Sequence, residues 1–269
     1  LKNMFHLTAV DLYGNAIFTD TFSVPYSNTP AYYEQIAETV REFIASNQYE
    51  NEKILGISIA TQGITSPDHT TVTYGTIMDN TGMKLEEFSH RLPYPCCLEH
   101  DSKSAAFLEL WKHPELDSAV VFLLNRNLGG AIITNHQIHQ GNSMHSGTLE
   151  HMCINPDGPL CYCGNRGCLE TYVGQLATVG RYEALTGRQL SFDEMLRRAD
   201  TSDDVAKQVL QDAGFYFGVA LANLVKTYEI PHVIVGGLPE KESAVFMKAT
   251  RDALHSYIPD SLQVDVQLR

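Results

Sequence analysis

His151, Cys161, Cys163 and Cys168 follow one another as H-x9-C-x-C-x4-C inside the stretch Gly147 to Glu170. Three thiolates and one imidazole form a closed tetrahedral donor set for one zinc ion, with no position left for water. The chemistry this spacing predicts is therefore a structural staple. Gly164 and Gly167 lie between the ligands and permit the tight turns that convergence on one ion demands, and Asn165 suits a turn as well. The alternative is a loop of reduced, unligated cysteines, and a Cys161–Cys163 disulfide would be strained. Cys153 lies two residues from His151, on the same face if this stretch is a strand, and ranks behind the named four as a substitute ligand.

Asp101 is the second candidate. It stands where the apolar run PYPCCLE gives way to a helix of small and apolar residues, a strand-to-helix junction of the kind where open α/β sheets place ligand-binding groups. A carboxylate there can act as general base toward a hydroxyl that attacks a phosphoryl group, or it can simply cap the helix. Glu170 reads in two ways also, as a ligand contact or as a carboxylate in the first turn of a helix. Gly236-Gly237 after the apolar HVIV is by itself only a turn signal.

The elements that must position these residues alternate along the chain. MFHLTAVDLYGNAIFTDTFSV alternates apolar and polar residues on both sides of Tyr13-Gly14-Asn15, which predicts a hairpin. Thr29 and Pro30 predict an N-cap and first helical position for a helix to about Ala45 with Ile36, Val40 and Phe43 on one face. ILGISIA (54–60) predicts a buried strand and the glycine- and proline-bearing TQGITSPDHT a loop. Asn80-Thr81-Gly82 marks a turn, and KLEEF a short helix. SAVVFLLN predicts a strand, GGAIIT with QIHQG a hairpin around Asn135-His136, and HMCIN a strand before the cysteine loop. A helix is expected from Cys168 to about Leu185, and the capping-box SFDE at Ser191 predicts a short one. Val209, Ala213, Phe217, Ala220 and Leu224 place the longest helix between about Asp203 and Lys226. A buried HVIVGG strand, a helix from about Glu240 to Tyr257 and a strand-like VDVQL end the chain. This order predicts an α/β protein of two packed lobes, residues 1–113 and 114–269, the second carrying the zinc site.

Composition bounds the partners. The 269 residues carry a formal charge of −13 and six cysteines. That charge would repel phosphates over most of the surface, so this chain alone is not expected to grip DNA. No run of eighteen apolar residues is present, so no membrane partner is expected. Cysteines arranged as a metal pattern fit a reducing cytoplasm.

The stretch Gly147 to Gly174, read with Gly129-Gly130 and His100-Asp101, resembles the ROK family of sugar kinases and sugar-responsive repressors, and weaker likeness runs from about Val10 to Gly237. The resemblance implies a doubled ribonuclease-H-like, or actin-like, fold with a cleft between lobes, a bound sugar and a homodimer. It implies substrate contacts from His100, Asp101, Thr148, His151 and Glu170, with Asp101 the catalytic base if the protein is a kinase, and nucleotide contacts near Gly129, Gly130, Gly236 and Gly237. The chain departs from the pattern in several places. His100 stands where the family has asparagine, Thr148 where it has a sugar-binding glutamate, and Glu150 where the second glycine of Gly-Glu-x-Gly-His belongs. Asn125-Arg126-Asn127 replaces a Gly-Thr-Gly phosphate loop, and the first phosphate motif, Asp-x-Gly-Gly-Thr, has no counterpart before Val10; it either precedes Leu1 or is absent.

Two functions follow as expectations. One is a sugar-sensing effector domain of a transcriptional regulator whose DNA-binding helix-turn-helix lies outside this chain. The other is an ATP- and magnesium-dependent kinase of a hexose or N-acetyl amino sugar. The crowded 125–127 turn favours the sensor.

Overall fold

The computed structural model describes residues 4–50, 53–144, 147–238, 244–262 and 264–268. Its backbone groups into two compact units, Leu1–Pro114 with Gln140–His145, and Glu115–His139 with Ser146–Arg269.

In the first unit the predicted hairpin is β1 (Met4–Val10) paired antiparallel with β2 (Ala16–Ser23). Asp11 shapes the turn by accepting from the Tyr13 and Asn15 amides at 2.8 and 2.9 Å, an Asx arrangement. Helix α1 (Pro30–Ser46) begins as its cap predicts, with the Thr29 side chain accepting from the Tyr32 amide, and buries Tyr33, Ile36, Ala37, Val40 and Phe43. Strand β3 (Ile57–Thr61) runs parallel to β6 (Cys96–His100), with Thr61 opposite His100. The apolar run 54–60 is thus strand only in its second half, and Leu55 is exposed. Between these strands lie β4 (Ile64–Thr65), β5 (Val72–Tyr74) and the short α2 (Glu86–Ser89). Wholly buried Asn80 ties this region to β3, donating to Thr61 Oγ1 at 2.9 Å and to the Gln62 carbonyl at 2.8 Å. Strand β6 passes directly into α3 (Asp101–Lys112).

The second unit is built on a five-stranded sheet. Its strands are β7 (Ala119–Leu124), β8 (Leu128–Thr134), β9 (Gln137–Ile138), β10 (His232–Gly236) and β11 (Asp265–Leu268), in the order β11-β10-β7-β8-β9. β11, β10 and β7 are parallel, whereas β7, β8 and β9 are antiparallel neighbours. Asn135 and His136, both with positive φ, make the two-residue turn between β8 and β9. Four helices precede β10: α4 (Glu170–Val173), α5 (Gln175–Thr186), α6 (Phe192–Ala199) and the 25-residue α7 (Asp204–Tyr228). Ser191 caps α6 by accepting from the Glu194 amide. Val209, Ala213, Phe217 and Ala220 of α7 are buried in one core with Val120, Phe122 and Val235 of the sheet. Helix α8 covers Ala244–Tyr257; the expected start near Glu240 lies outside the described residues.

Two expectations are corrected here. The segment read as one helix from Cys168 to about Leu185 is broken at Gly174, whose ψ of 140° ends α4 and starts α5. HMCIN is not a strand: Leu149–His151 form a 3-10 turn, and only Cys153 bridges, to Cys168. The Gly174 break lets Glu170 on one side and Gln175 on the other both bond to residues 124–128, and the 3-10 turn seats Leu149 against Gly130 while His151 joins the cysteines. Among the described residues no helix is long and apolar enough to cross a membrane.

Candidate functional site

The cysteine loop folds so that one donor atom each from His151, Cys161, Cys163 and Cys168 lies within 4.8 Å of the others. Cys161 Sγ is 3.6 Å from His151 Nδ1, and Cys163 Sγ is 3.6 Å from Cys168 Sγ. For a tetrahedral zinc with ordinary bond lengths, S···S and S···N edges are about 3.8 and about 3.6 Å, close to the two edges just given. The backbone shapes this closely. Gly167 has φ +67°, and a Cβ there would fall 1.5 Å from the Asn155 carbonyl oxygen, so no other residue fits. Cys153 is exposed and outside the converging set.

The electrostatics make the same point. Burial pushes the Cys168 thiol up to about 12 and also raises Cys161, while hydrogen bonding around Asn165 outweighs burial at Cys163 and lowers it. Burial lowers His151, favouring the neutral imidazole that a metal requires. Buried thiols of this kind ionise together only around a cation. The His151 ring also meets Tyr162 edge-on, centroids 5.0 Å apart, which fixes its plane.

The turn that carries Thr148, Glu150 and His151 is seated by Leu149. A Cβ on Gly130 of β8 would lie 2.9 Å from the Leu149 side chain, so Gly130 is the space into which that leucine packs. Thr148 is half-buried and Glu150 buried, with a Glu150 oxygen 3.9 Å from His151 Nε2.

Glu170, the first residue of α4, is 4% exposed, and both of its oxygens are engaged. Asn127 Nδ2 donates to Oε1 at 2.9 Å and the Leu128 amide donates to Oε2 at 2.7 Å. Burial outweighs these bonds and raises the carboxyl to about 7. The turn 125–127 is held further by the Leu176 amide, which donates to the Arg126 carbonyl, and by Gln175 Nε2, which donates to the Leu124 carbonyl. Gly129 and Gly236 flank Leu123 on the neighbouring strands, and Gly237, at φ +85°, passes 2.9 Å from Asn125 Oδ1 measured from its would-be Cβ. The four glycines and the 125–127 turn therefore share one end of the sheet.

In the first unit, β6 delivers His100 and Asp101 to the head of α3. The His100 amide donates to Glu99 Oε1 at 2.8 Å, and the other Glu99 oxygen is 3.1 Å from His69 Nδ1. Asp101 Oδ1 accepts from the Ser102 amide at 2.7 Å, so the carboxylate does help to satisfy the helix start, and among the described residues no side chain engages Oδ2. Burial raises the Asp101 carboxyl and lowers the His100 imidazole.

A family model described as the ROK family matches residues 3–268. The chain belongs to the ROK family. It is 22% identical over 263 residues to the DNA-binding transcriptional dual regulator NagC of Escherichia coli strain K12, covering 93% of this chain and 64% of that protein. It is 30% identical over 202 residues to an N-acetylmannosamine kinase of Vibrio vulnificus strain CMCP6, covering 73% of this chain and 69% of that one. The crystal structure of a ROK family transcriptional regulator, a homologue of the E. coli MLC protein, superposes with a TM-score of 0.84 at 19% identity, over 99% of this chain and 71% of that chain. The fold is thus the α/β, actin-like fold of ROK proteins, and the chain spans about 64% of the length of the first regulators it matches.

Three residues beside these candidates carry little or no signal in the sequence. Asn127 reaches Glu170 across 43 residues, a contact that no local spacing announces. Ser102, 1% exposed, looks like any small helix residue, and its only signal is a hydroxyl two positions after a histidine. Lys103 is 4% exposed and donates to the Met144 carbonyl at 2.9 Å, where a lysine at a helix start would ordinarily be read as solvated.

Proposed function

We propose that this chain is the sugar-binding effector portion of a ROK-type transcriptional regulator, with the DNA-binding helix-turn-helix outside the given sequence. The observation that carries the reading is the 125–127 turn. In a phosphoryl-transfer enzyme this turn must admit nucleotide phosphates to bare backbone amides. Here Asn127 and the Leu128 amide are spent on Glu170, and the Arg126 carbonyl is taken by the Leu176 amide. The turn is a structural joint between β8 and the two helices that follow the cysteine loop.

In this reading the sugar is contacted by His100, Asp101, Thr148, His151 and Glu170. Asp101 accepts a hydroxyl proton through Oδ2, and Glu170 does so through acceptor positions left on its two oxygens, since a carboxylate offers about four. His151, Cys161, Cys163 and Cys168 hold a structural zinc that fixes the turn carrying Thr148 and the start of α4. The protein works as a cytoplasmic homodimer, with DNA reached only through the outside domain.

The second reading is an ATP- and magnesium-dependent sugar kinase. It is favoured by the identity to the N-acetylmannosamine kinase and by Asp101, whose Oδ2 is engaged by no side chain among the described residues and is open to serve as a general base. In that case Gly129, Gly130, Gly236 and Gly237 border the nucleotide. Calorimetry with glucose, xylose, N-acetylglucosamine and N-acetylmannosamine, paired with an ATP-coupled assay on the same sugars, separates the two. Binding without turnover supports the sensor; turnover supports the kinase; neither binding nor turnover removes both.

A further inference from the structure

We infer that Ser102 is a positioning residue that fixes His100 as a hydrogen-bond donor to the ligand, so that this site pairs one donor with the acceptor Asp101. The inference rests on the sugar-binding reading above and adds to it which way each hydrogen bond runs. The family's asparagine at this place offers both a donor and an acceptor, and a histidine can do so only if its ring is free to choose.

It is not free. Ser102 Oγ lies 2.7 Å from His100 Nδ1. The serine is 1% exposed, and among the described residues His100 Nδ1 is the only hydrogen-bond partner of its hydroxyl. A buried hydroxyl proton without an acceptor is costly, so the hydroxyl donates and Nδ1 accepts. A neutral imidazole carries a single proton, and with Nδ1 accepting that proton sits on Nε2. The charged form, which would protonate both nitrogens, is disfavoured by burial of the ring, whose side chain is 15% exposed. Other groups facing the ring are Asp101, whose Oδ1 is 3.6 Å from Nδ1 and already accepts from the Ser102 amide, and more distantly Glu99 and Lys103. None of them competes for Nδ1 at hydrogen-bond distance.

Among the described residues no group hydrogen-bonds to His100 Nε2. It is the atom left for a ligand, and it can only donate. Asp101 Oδ2, in the carboxylate form, only accepts. The sugar groups that suit this pair are therefore an acceptor oxygen beside a hydroxyl that donates, as in a vicinal diol or a hydroxyl next to an amide carbonyl. An ammonium, or any other group that can only donate, is excluded at the His100 position.

The test reads the ring directly. Nitrogen-15 correlation spectra of the whole chain, with His100 assigned by loss of its signals in His100→Gln, should show the Nε2-protonated form in the wild type. In Ser102→Ala the ring should lose that preference, and whichever of glucose, xylose, N-acetylglucosamine and N-acetylmannosamine binds the wild type should bind about tenfold more weakly, the loss of one such bond. Ser102→Thr keeps the hydroxyl and should restore both. An Nδ1-protonated wild-type ring overturns the inference, as does a Ser102→Ala protein with unchanged ring and unchanged affinity. If Ser102→Ala does not fold, the wild-type and Ser102→Thr spectra still decide. A wild type that binds none of the four sugars but shows the Nε2-protonated ring counts against the functional reading and for the assignment of Ser102.

Discussion

At the residue scale, the donor set of the cysteine loop makes the most direct prediction. Because all four donor atoms already converge, removing one should expel the ion and unfold the loop in the same step. Purified protein should contain close to one zinc per chain, and Cys163→Ser should lose both the metal and thermal stability. A well-folded, metal-free wild type would rule out the staple. Asp101 makes a second prediction. Its free Oδ2 supplies one charge-assisted bond to a hydroxyl, worth about 1.5–3 kcal/mol, so Asp101→Ala should weaken sugar binding at least about tenfold by calorimetry without loss of fold. The four metal donors are legible in the sequence because metal ligation leaves a short-range pattern, whereas the strand-to-helix placement of Asp101 reads as a helix cap and its ligand role comes from the ROK resemblance. The partners that orient these residues are not legible. Ser102 and Lys103 are buried polar groups at a helix start, and only the tertiary structure tells that their hydrogen bonds run to His100 and Met144.

At the element scale, the period of apolar residues gave the longer strands and helices in their correct order but not β4 and β5, the first of which lies in the stretch read as a loop, and caps such as Thr29 and Ser191 marked helix starts. It failed also where the chain changes direction. HMCIN alternates like a strand, yet Leu149 turns into the gap above Gly130, and Gly174 splits what reads as one helix. The same helix start carries Glu170, whose titration should be visible in stability. Its folded-state value is raised by burial to about 7 from 4.5, so between these values the folded chain keeps a proton that the unfolded chain has lost. Stability therefore falls as pH rises from about 4.5 to about 7 and is flat above, with a full amplitude of about 3 kcal/mol. Glu170→Gln accepts from the Leu128 amide and can donate to a flipped Asn127 amide, so it should fold and lack this slope. Since acid also strips metal from thiolates and imidazole, the quantity to read is the difference between wild type and variant in denaturant midpoint across that range. A difference that does not change with pH would show that Glu170 is ionised throughout.

At the scale of the whole molecule, ROK membership covers both regulators and kinases, so the fold alone does not choose between them. What differs is how the end of the second unit's sheet is used. Phosphoryl transfer requires nucleotide phosphates and metal to be held against the acceptor hydroxyl, and misplacement by an ångström can cost on the order of a hundredfold. Here the 125–127 turn is tied down at Asn127, Leu128 and the Arg126 carbonyl, and opening it would leave the buried Glu170 carboxylate without its partners. A loss of that kind costs about 1–3 kcal/mol per unsatisfied group, which a nucleotide would have to offset before any catalysis began. The expected outcome is sugar binding without phosphorylation. A coupled assay with ATP, magnesium, hexoses and N-acetylated amino sugars should give no turnover at sugar concentrations that saturate binding. Turnover in the range usual for kinases, about 1–100 per second, would mean that the turn reopens or that Arg126 cradles the phosphates in another geometry. Asn127→Gly separates these cases. If the joint is what blocks the nucleotide, the variant should gain ATP affinity while losing stability; if Arg126 is the phosphate ligand, Arg126→Ala should abolish ATP binding and Asn127→Gly should leave it unchanged.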